Sequence, residues 1–465
     1  MFRNLLVCFS VILVILSLMI TEIGTFSVIF IWILLMVYAI KDLDNRIAFF
    51  AFLVSFFTFL LGRFLIQSFT KVLPDDYFNV FIDFKPSTEN FIFKTILVSL
   101  CVVFLGYYYG QNIGRKKRNI VHYSNNYAIR VRKYSKILVY VTFIFDLIET
   151  LERVQYAWGN GYFEYYMGFE QNLPYLVYKL SSFFVFAVFL YLATLPPKNE
   201  AKIVIYLYLF SAFVRFLIGA RGAIIYPLFI ILIYLFIRTT LSPDEPWITK
   251  KAKRAIVIAA PLVCVGMAAM GLIRNGNSTE GFSAVDAIIA FFFKQGTSYQ
   301  IIGFVYDNAN TMPPNQIYSI GRIFHIFDGS IIGQVLGIDH NLTSQTVEYA
   351  LKGDELGSYV TYIYNPTVYL NGGGYGSCYI AEAYADLKWF GICLVNFIVG
   401  YILAKIPYWM SNRIWLTTIS FFILYSFIRA PRGSAFDFLG EIFNINYLLM
   451  ALLIHVAAKY TTKPK

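Results

Sequence analysis

Long apolar stretches recur along this chain, and they constrain its fold more than any other feature. A helix needs about 20 mostly apolar residues to cross the hydrocarbon core of a bilayer. The mean hydropathy is +0.62 over 465 residues, and only 14% of them are charged, whereas soluble domains carry about 25%. The pattern predicts an all-α integral membrane protein of about 12 transmembrane helices. The predicted spans are residues 4–20, 24–40, 47–66, 92–110, 137–153, 176–195, 203–219, 222–238, 255–273, 387–406, 414–428 and 442–458.

Lysine and arginine are distributed unevenly between these predicted spans. If the N-terminus is cytoplasmic, the loops 111–136 and 239–254 and the C-terminal tail are cytoplasmic as well, and they carry most of the basic residues. Such enrichment is typical of cytoplasmic loops. Topology and contact with anionic membrane lipid therefore explain the net charge of +11, and no nucleic-acid partner is predicted.

One connection is much longer than the others and divides the chain. Residues 274–378 are polar and rich in Gly, Asn and Tyr, and a connection of this length is usually functional. The predicted organisation is helices 1–9 in residues 1–273, one large extracytoplasmic loop in 274–378, and helices 10–12 with a cytoplasmic tail in 379–465. Within the loop, Gly281–Phe293 is amphipathic, which predicts a helix that lies on the membrane or packs over the bundle.

Four arginines lie at the outer ends of predicted spans, against the charge bias. Arg221 lies in a turn between two apolar helices, Arg274 ends the helix before the large loop, and Arg429 and Arg432 follow a later span. A guanidinium binds phosphate oxygens in pairs and stays charged. If the helices pack together, these arginines form a diphosphate-binding site. The alternative is that each arginine pairs with an acid or reaches the lipid headgroups.

Acidic residues near the same face are candidates for proton transfer. Glu382 and Asp386 are one helical turn apart and share a helix face, and Asp437 follows the arginine turn. His325 and His340 lie in the large loop and are further candidate bases. We expect the catalytic group among these side chains.

A second group of acids lies inside one predicted span: Asp146, Glu149 and Glu152. An ionisable residue inside a membrane is a candidate functional group. The alternative is that these acids pair with basic residues and hold helices together. The candidate partners are Arg63, Lys179, Arg215 and, for Glu149, Arg153.

Cysteine and histidine give no sign of a metal site or of a disulfide framework. The five cysteines lie in or beside apolar stretches, and no Cys/His cluster has metal-ligand spacing. We therefore predict neither a metal nor a cofactor.

Several short motifs resemble the Wzy-type polymerases of lipid-linked oligosaccharide repeat units, which make O-antigen, enterobacterial common antigen and capsule-like polysaccharides. The motifs are the turn Gly219-Ala-Arg-Gly222, Arg274 before the long loop, the turn with Arg429, and Gly372-Gly-Gly-Tyr-Gly-Ser377 running into Ala381-Glu-Ala-Tyr384. Their order matches from roughly Leu138 to the end. The resemblance implies a GT-C-like helical architecture in the bacterial cytoplasmic (inner) membrane, with membrane lipid and a chain-length regulator protein as partners.

The resemblance also implies a reaction, that of a metal-independent, inverting glycosyltransferase. The growing glycan on undecaprenyl diphosphate is the donor, and a sugar hydroxyl of a newly flipped unit attacks its anomeric carbon. Arginines at the outer face suit the diphosphate that leaves. We prefer Glu382 as the group that takes the hydroxyl proton, followed by Asp437 and His325.

Two other functions are alternatives. A flippase or transporter of lipid-linked oligosaccharides would place its basic residues deeper and usually shows repeated halves, and no repeat is visible in this sequence. An O-antigen-type ligase would carry a loop histidine in a recognisable setting, which the sequence around His325 and His340 does not resemble.

Overall fold

The computed structural model describes residues 2–19, 23–69, 84–112, 126–242, 244–274, 283–327, 335–337, 342–411 and 413–460. Two of the residues singled out above, Arg274 and His325, belong to helices, but their side chains lie outside this description. His340 lies outside the described residues altogether. Every regular element within the described ranges is a helix.

The described residues of the first part of the chain are mostly helical. The helices are α1 (Phe2–Met19), α2 (Thr25–Ile40), α3 (Leu43–Phe56), a π-helical turn (Phe57–Leu61), α4 (Gly62–Phe69), α5 (Pro86–Asn112), α6 (Asn126–Asn160), α7 (Tyr162–Gly168), α8 (Tyr175–Ser181), α9 (Phe184–Ala193), α10 (Lys198–Phe216), α11 (Gly222–Leu241) and α12 (Lys250–Arg274).

Short helices then precede the last three long ones. They are α13 (Ala284–Gln295), α14 (Tyr299–Asp307), a 3₁₀ helix (Gly321–Phe327), α15 (Val347–Lys352), α16 (Leu356–Tyr364), α17 (Pro366–Leu370), α18 (Tyr379–Trp409), α19 (Ile414–Arg429), a 3₁₀ turn (Ala430–Arg432), α20 (Phe438–Ile442) and α21 (Ile445–Tyr460).

Six helical stretches among the described residues are long and apolar enough to cross a membrane. Three shorter apolar helices, α1, α2 and α21, coincide with further predicted spans. These helices make the chain a multi-pass membrane protein. Three other predicted spans lie in α6, α10 and α12, which belong neither to the six long stretches nor to the three shorter helices. The count of about 12 spans and the GT-C-like architecture therefore stay predictions. The six stretches are Leu43–Ser68, Pro86–Asn112, Tyr175–Ala193, Gly222–Leu241, Tyr379–Trp409 and Ile414–Arg432.

Helices α5 and α18 pack closely in the middle of the bundle. A side-chain carbon added at Gly106 or Gly400 would overlap a backbone carbonyl of the opposite helix. Small residues allow such close approach between membrane helices. A buried amide joins the same pair, because Asn396 donates through Nδ2 to Ser99 Oγ at 3.1 Å. The first part of α18 is thereby held on a closely packed support.

Helix α18 is broken at Leu387 and Lys388. Lys388 has φ 52° and ψ −139°, which interrupts the helical backbone. The break coincides with the predicted start of the span at residue 387, so the residues before it form a separate helical segment. Tyr379 on this segment donates its hydroxyl to Asn396 Oδ1 at 2.7 Å, on the other side of the break. This bond fixes the orientation of the segment that carries Glu382.

The amphipathic segment predicted at 281–293 forms α13, described from Ala284 onward. Its aromatic side chains contact the bundle: the Phe292 ring lies 5.6 Å from that of Phe57, centroid to centroid, and the guanidinium carbon of Arg63 lies 4.2 Å from the centre of the Phe293 ring. Of the two placements left open, the structure therefore supports packing over the bundle.

The acids of α6 are engaged with neighbouring side chains. Asp146 is fully buried, pairs with Arg215 and accepts a hydrogen bond from Ser211 Oγ at 2.5 Å. Glu149 accepts from Arg153 Nε at 3.0 Å. Glu152 has neutral partners instead, since it accepts from the Tyr178 hydroxyl at 2.6 Å and from the Asn172 N–H at 3.0 Å. The structure thus supports pairing over a catalytic role for this group.

Candidate functional site

A cavity of about 920 Å³ lies where the ends of several long helices meet the short helices of the segment 283–378. Its walls come from the start of α8, the start of α18, the end of α19 and from α20 on one side, and from residues 318–376 on the other. The cavity is therefore built jointly by the bundle and by the predicted large loop.

Among the described residues, four basic side chains line this cavity: Lys179, Arg322, Arg429 and Arg432. Arg429 ends α19 because Pro431 lacks a backbone N–H, and the following 3₁₀ turn carries Arg432. Arg432 donates through Nη1 to Gln295 Oε1 at 3.4 Å. The sequence around Arg429 thus stops the helix at the cavity wall and places two guanidinium groups there.

Asp437 bridges two of these arginines. Its Oδ1 lies 3.3 Å from Arg322 Nε, and its Oδ2 lies 3.6 Å from Arg429 Nη1. Arg322 comes from the segment between α14 and α15, whereas Arg429 belongs to a long helix. A guanidinium carries several N–H donors, so one carboxylate contact leaves others for a ligand. The bridge holds both arginines at the cavity.

Glu382 is the most deeply buried acid of the cavity wall, with 4% of its surface exposed. Ser377 donates its hydroxyl to Glu382 Oε1 at 2.6 Å. The other oxygen, Oε2, is buried without a hydrogen-bond partner among the described residues. A buried polar atom without a partner is costly to maintain, so it marks a place where a ligand or water is expected to bind.

The glycine-rich segment before α18 positions Ser377. Gly376 has φ +80°, a backbone conformation that favours glycine. A side-chain carbon at Gly357 would lie 2.8 Å from the carbonyl oxygen of Gly376, so α16 and this segment approach each other at backbone distance. Thr361 Oγ1 accepts the Tyr375 N–H at 3.0 Å and fixes the same turn. The glycines of this motif therefore allow the close backbone approach that brings Ser377 to Glu382.

The wall opposite the helix ends is rich in hydroxyl groups and carboxylates. Burial raises the pKa of the Tyr318, Tyr349 and Tyr369 phenols, so they remain protonated and can donate hydrogen bonds. Asp354 and Glu355 line the same wall. A flat ring beside hydrogen-bonding groups suits the alternating apolar faces and hydroxyl edges of sugars.

Glu441, on α20, is a further acid of the helix-end wall. Burial raises the pKa of its carboxyl, and the positive charge of Arg322 opposes this effect. The cavity therefore combines basic and acidic groups. The carboxylates of the described residues that line it are those of Asp354, Glu355, Glu382, Asp437 and Glu441.

The structure brings four of the residues proposed from sequence to one cavity: Glu382, Asp437, Arg429 and Arg432. Arg221 caps the start of α11 and is outside the set of described residues that line the cavity. The roles of Arg274 and His325 stay predictions, since their side chains are not described.

Asp386 accepts the backbone N–H groups of Tyr318 and Ser319 at 2.9 and 2.8 Å. It therefore anchors the loop to the start of α18. Although it shares a helix face with Glu382 in the sequence pattern, its two oxygens are occupied by this anchoring role.

Sequence reasoning missed Arg322 as a site residue and considered Lys179 only as a partner of acids. The signal for Arg322 was present, because it is an arginine in a segment assigned to the outer side, where the charge bias disfavours basic residues. The tyrosines of the opposite wall could not be singled out from the sequence, because the chain contains 36 tyrosines.

Comparison with known families gives a match over the whole chain. The family model described as O-antigen polysaccharide polymerase Wzy matches residues 1–465. The match confirms the resemblance and extends it over the helices that precede Leu138. Neither the comparison with curated proteins nor that with solved structures gives a match.

Proposed function

Because this chain belongs to the O-antigen polysaccharide polymerase Wzy family, we propose that its cavity joins oligosaccharide repeat units carried on undecaprenyl diphosphate. The family acts on lipid-linked oligosaccharide repeat units in the membrane. Our proposal adds the place and the chemistry: the reaction occurs at the outer face of the bacterial cytoplasmic membrane, and the growing chain is transferred to the incoming unit.

The proposed step is one displacement at the anomeric carbon of the growing chain. A hydroxyl of the incoming unit attacks this carbon from the face opposite the diphosphate, so its configuration inverts. The bond between the anomeric carbon and the diphosphate oxygen breaks, and undecaprenyl diphosphate leaves with the bonding electron pair. The hydroxyl proton passes to a carboxylate of the protein. The step needs fixed positive charge where the diphosphate develops negative charge.

Arg429 and Arg432 are the proposed diphosphate ligands. They lie at the end of a long helix, where a lipid carrier can keep its tail in the bilayer and its headgroup in the cavity. Paired N–H donors of a guanidinium match phosphate oxygens better than the single ammonium of lysine does. We retain Arg221 and Arg274 as further ligands, since each begins or ends a long helix.

Glu382 is the proposed base. Its position in the cavity wall, its bond from Ser377 and its second oxygen without a partner among the described residues support this role. Asp437 is the second candidate, although it contacts Arg322 and Arg429 and is therefore better placed to orient them. His325 is the third. Arginines can stabilise the leaving group without a metal, so we propose a metal-independent reaction.

One observation carries this proposal: a single cavity at the helix ends holds two guanidinium groups from the α19 turn together with a buried carboxylate oxygen that has no partner among the described residues. The two guanidinium groups suit a leaving diphosphate, and the carboxylate oxygen suits the attacking hydroxyl.

The test is the state of lipid-linked glycans in cells that lack this protein. We expect single repeat units to accumulate on their lipid carrier at the outer face, and the wild-type chain to restore polymer. Units trapped at the inner face would instead indicate a flippase. Long chains that stay on the lipid carrier would indicate a ligase, and either result would contradict the proposal.

A further inference from the structure

Residues 316–322, here called the docking segment, bring Arg322 to the helix-end wall of the cavity. One carboxylate at the start of α18 holds this segment: Asp386 accepts the backbone N–H groups of Tyr318 and Ser319 at 2.9 and 2.8 Å, one on each oxygen. Hydrogen bonds to a charged acceptor are stronger than those between neutral groups. Asp386 therefore anchors two consecutive backbone groups of the docking segment.

Two further contacts fix the path of the docking segment. Ser434, two residues after the 3₁₀ turn that ends α19, donates its hydroxyl to the Ser319 carbonyl oxygen at 3.2 Å. A side-chain carbon added at Gly321 would lie 2.5 Å from the carbonyl oxygen of Asp354, so the segment passes that residue at backbone distance. The backbone is thus held on both sides immediately before Arg322.

Asp386 belongs to the helical segment that also carries Glu382. The two residues are four apart, which is about one helical turn. The hydrogen bond from Tyr379 to Asn396 at 2.7 Å fixes the orientation of this segment. The anchor of the docking segment and the proposed base therefore share one element, which ties the position of Arg322 to that of Glu382.

Arg322 is the side chain that this arrangement places in the cavity wall. It is 54% exposed and contacts Asp437 Oδ1 through Nε at 3.3 Å. The other oxygen of Asp437 lies 3.6 Å from Arg429 Nη1, so one carboxylate joins an arginine of the docking segment to the arginine that ends α19. A guanidinium has five N–H donors, and a contact through Nε is compatible with phosphate oxygens at its two terminal nitrogens.

We propose that Asp386 is a positioning residue, which holds the docking segment so that Arg322 becomes a third cation for the leaving diphosphate, beside Arg429 and Arg432. The inference rests on the proposed function and deepens it by adding one ligand and the residue that sets its position. Arg322 stabilises the charge that the diphosphate oxygens gain as their bond to the anomeric carbon breaks. Asp386 is outside the set of described residues that line the cavity, so it acts through Arg322.

A double-mutant cycle separates this role from a merely structural one. The measurement is equilibrium binding of undecaprenyl diphosphate to the purified full-length protein in lipid nanodiscs. Arg322→Ala should weaken binding about 10- to 100-fold, the loss expected for hydrogen bonds to a charged group. Asp386→Asn turns one acceptor into an N–H donor that faces a backbone N–H, and should weaken binding about tenfold. The double variant should bind as Arg322→Ala does, because the anchor then has no arginine to position.

Asp386→Glu is the second anchor variant, and its cycle decides the question if Asp386→Asn does not fold. It keeps the carboxylate but moves it by one methylene, so its loss should be smaller and should also vanish in the Arg322→Ala background. Wild-type affinity in Arg322→Ala or in both anchor variants would overturn the inference. Losses that multiply in the double variants would overturn it as well, since they indicate that Asp386 does not act through Arg322.

Two controls match the two kinds of substitution. Asp286→Asn removes another carboxylate that accepts a backbone N–H, in the capping box at the start of α13. Lys352→Ala removes a basic residue that pairs with Glu348 at 2.8 Å on the exposed surface. Both controls should bind undecaprenyl diphosphate as the wild type does, and a loss equal to that of the matching site variant would contradict the inference.

Polymerisation of lipid-linked units by the same proteins separates the inference from the proposed function. If the losses of binding are coupled but the wild type does not polymerise, the positioning role is supported and only the proposed reaction is contradicted. If the wild type polymerises and the losses are independent, only the positioning role is contradicted.

Discussion

Two arginine–aspartate pairs, one inside the helix bundle and one at the cavity, differ in what surrounds them. In the bundle, Arg215 of α10 pairs with Asp146 of α6, which is fully buried and also accepts a hydrogen bond from Ser211. At the cavity, Asp437 lies between Arg429 and Arg322, and the side chain of Arg429 remains 41% exposed. The two arginines are similarly exposed, with 37% for Arg215, so the pairs differ in the carboxylate: Asp146 is fully buried, whereas the Asp437 side chain is 15% exposed and lines the cavity.

Arginines at the ends of apolar helices can therefore have different roles, one in stability and one in ligand binding. A buried pair is costly to break, because the remaining charge has no water to solvate it. A pair at the wall of a cavity can exchange one anion for another. We therefore expect substitutions in the bundle to lower stability and substitutions at the cavity to lower the reaction rate.

Glu382→Gln should give the largest effect on rate and thus sharpen the comparison. The amide keeps the shape of the side chain but cannot take a proton. We expect polymerisation to fall about 100- to 10,000-fold, the usual contribution of a general base, while the protein reaches the membrane in normal amounts. Initial rates with lipid-linked units in membrane vesicles measure this loss. A Glu382→Gln variant with the wild-type rate would remove Glu382 from the reaction, and Glu348→Gln serves as the control carboxylate.

Arg429→Ala should give the next largest effect. Loss of one donor to a developing oxyanion costs about 100- to 1,000-fold in rate. Arg429→Lys should retain somewhat more activity but remain well below the wild type, because lysine offers a single point of contact. Polymer length and initial rate, each normalised to the folded protein, are the measurements.

The same assay applied to Arg221 tests whether the diphosphate site extends to α11. A loss in Arg221→Ala comparable with that in Arg429→Ala would include Arg221 in the site. Full activity of Arg429→Lys would contradict paired contacts to the diphosphate.

Arg215→Ala should act on stability and leave the rate per folded molecule close to that of the wild type. Removing one partner of a buried pair costs about 3–5 kcal/mol, so thermal unfolding of the purified protein should begin at a lower temperature. Arg215→Lys keeps the charge and should recover most of this loss. If Arg215→Ala instead folds normally and loses activity, the distinction between the bundle pair and the cavity pair is wrong.

Removal of divalent metal should have the smallest effect. The proposed reaction uses arginines for charge stabilisation, so initial rates should be the same with and without a chelator. Loss of activity that magnesium or manganese restores would assign part of the cavity's role to a metal.

The sequence predicted much of the architecture because apolar spans follow directly from the bilayer thickness. It also selected Glu382, Asp437, Arg429 and Arg432 as candidates, and these four line one cavity. Charged residues beside spans are costly and therefore informative. The sequence features that indicated these residues lie next to them in the chain: each arginine follows an apolar stretch, and Glu382 follows a glycine-rich run.

What the sequence could not give is the pairing across distant segments. Nothing in the local pattern shows that Arg322 meets Asp437, or that Ser377 meets Glu382, because these contacts depend on how residues 318–377 fold back onto the helix ends. The break at Lys388 was also invisible, since lysine has no special preference for φ +52°. For the same reason the sequence left Arg215 as one of several candidate partners for the acids of α6, since its partner Asp146 lies in another segment.

The most direct test of the central claim is equilibrium binding of undecaprenyl diphosphate to the purified protein and two variants. Arg429→Ala should weaken binding about 10- to 100-fold, the loss expected for hydrogen bonds to a charged group. Arg215→Lys, which keeps the charge of the bundle pair, should bind as the wild type does. Wild-type affinity in Arg429→Ala, or an equal loss in folded Arg215→Lys, would contradict the assignment of the diphosphate to the cavity.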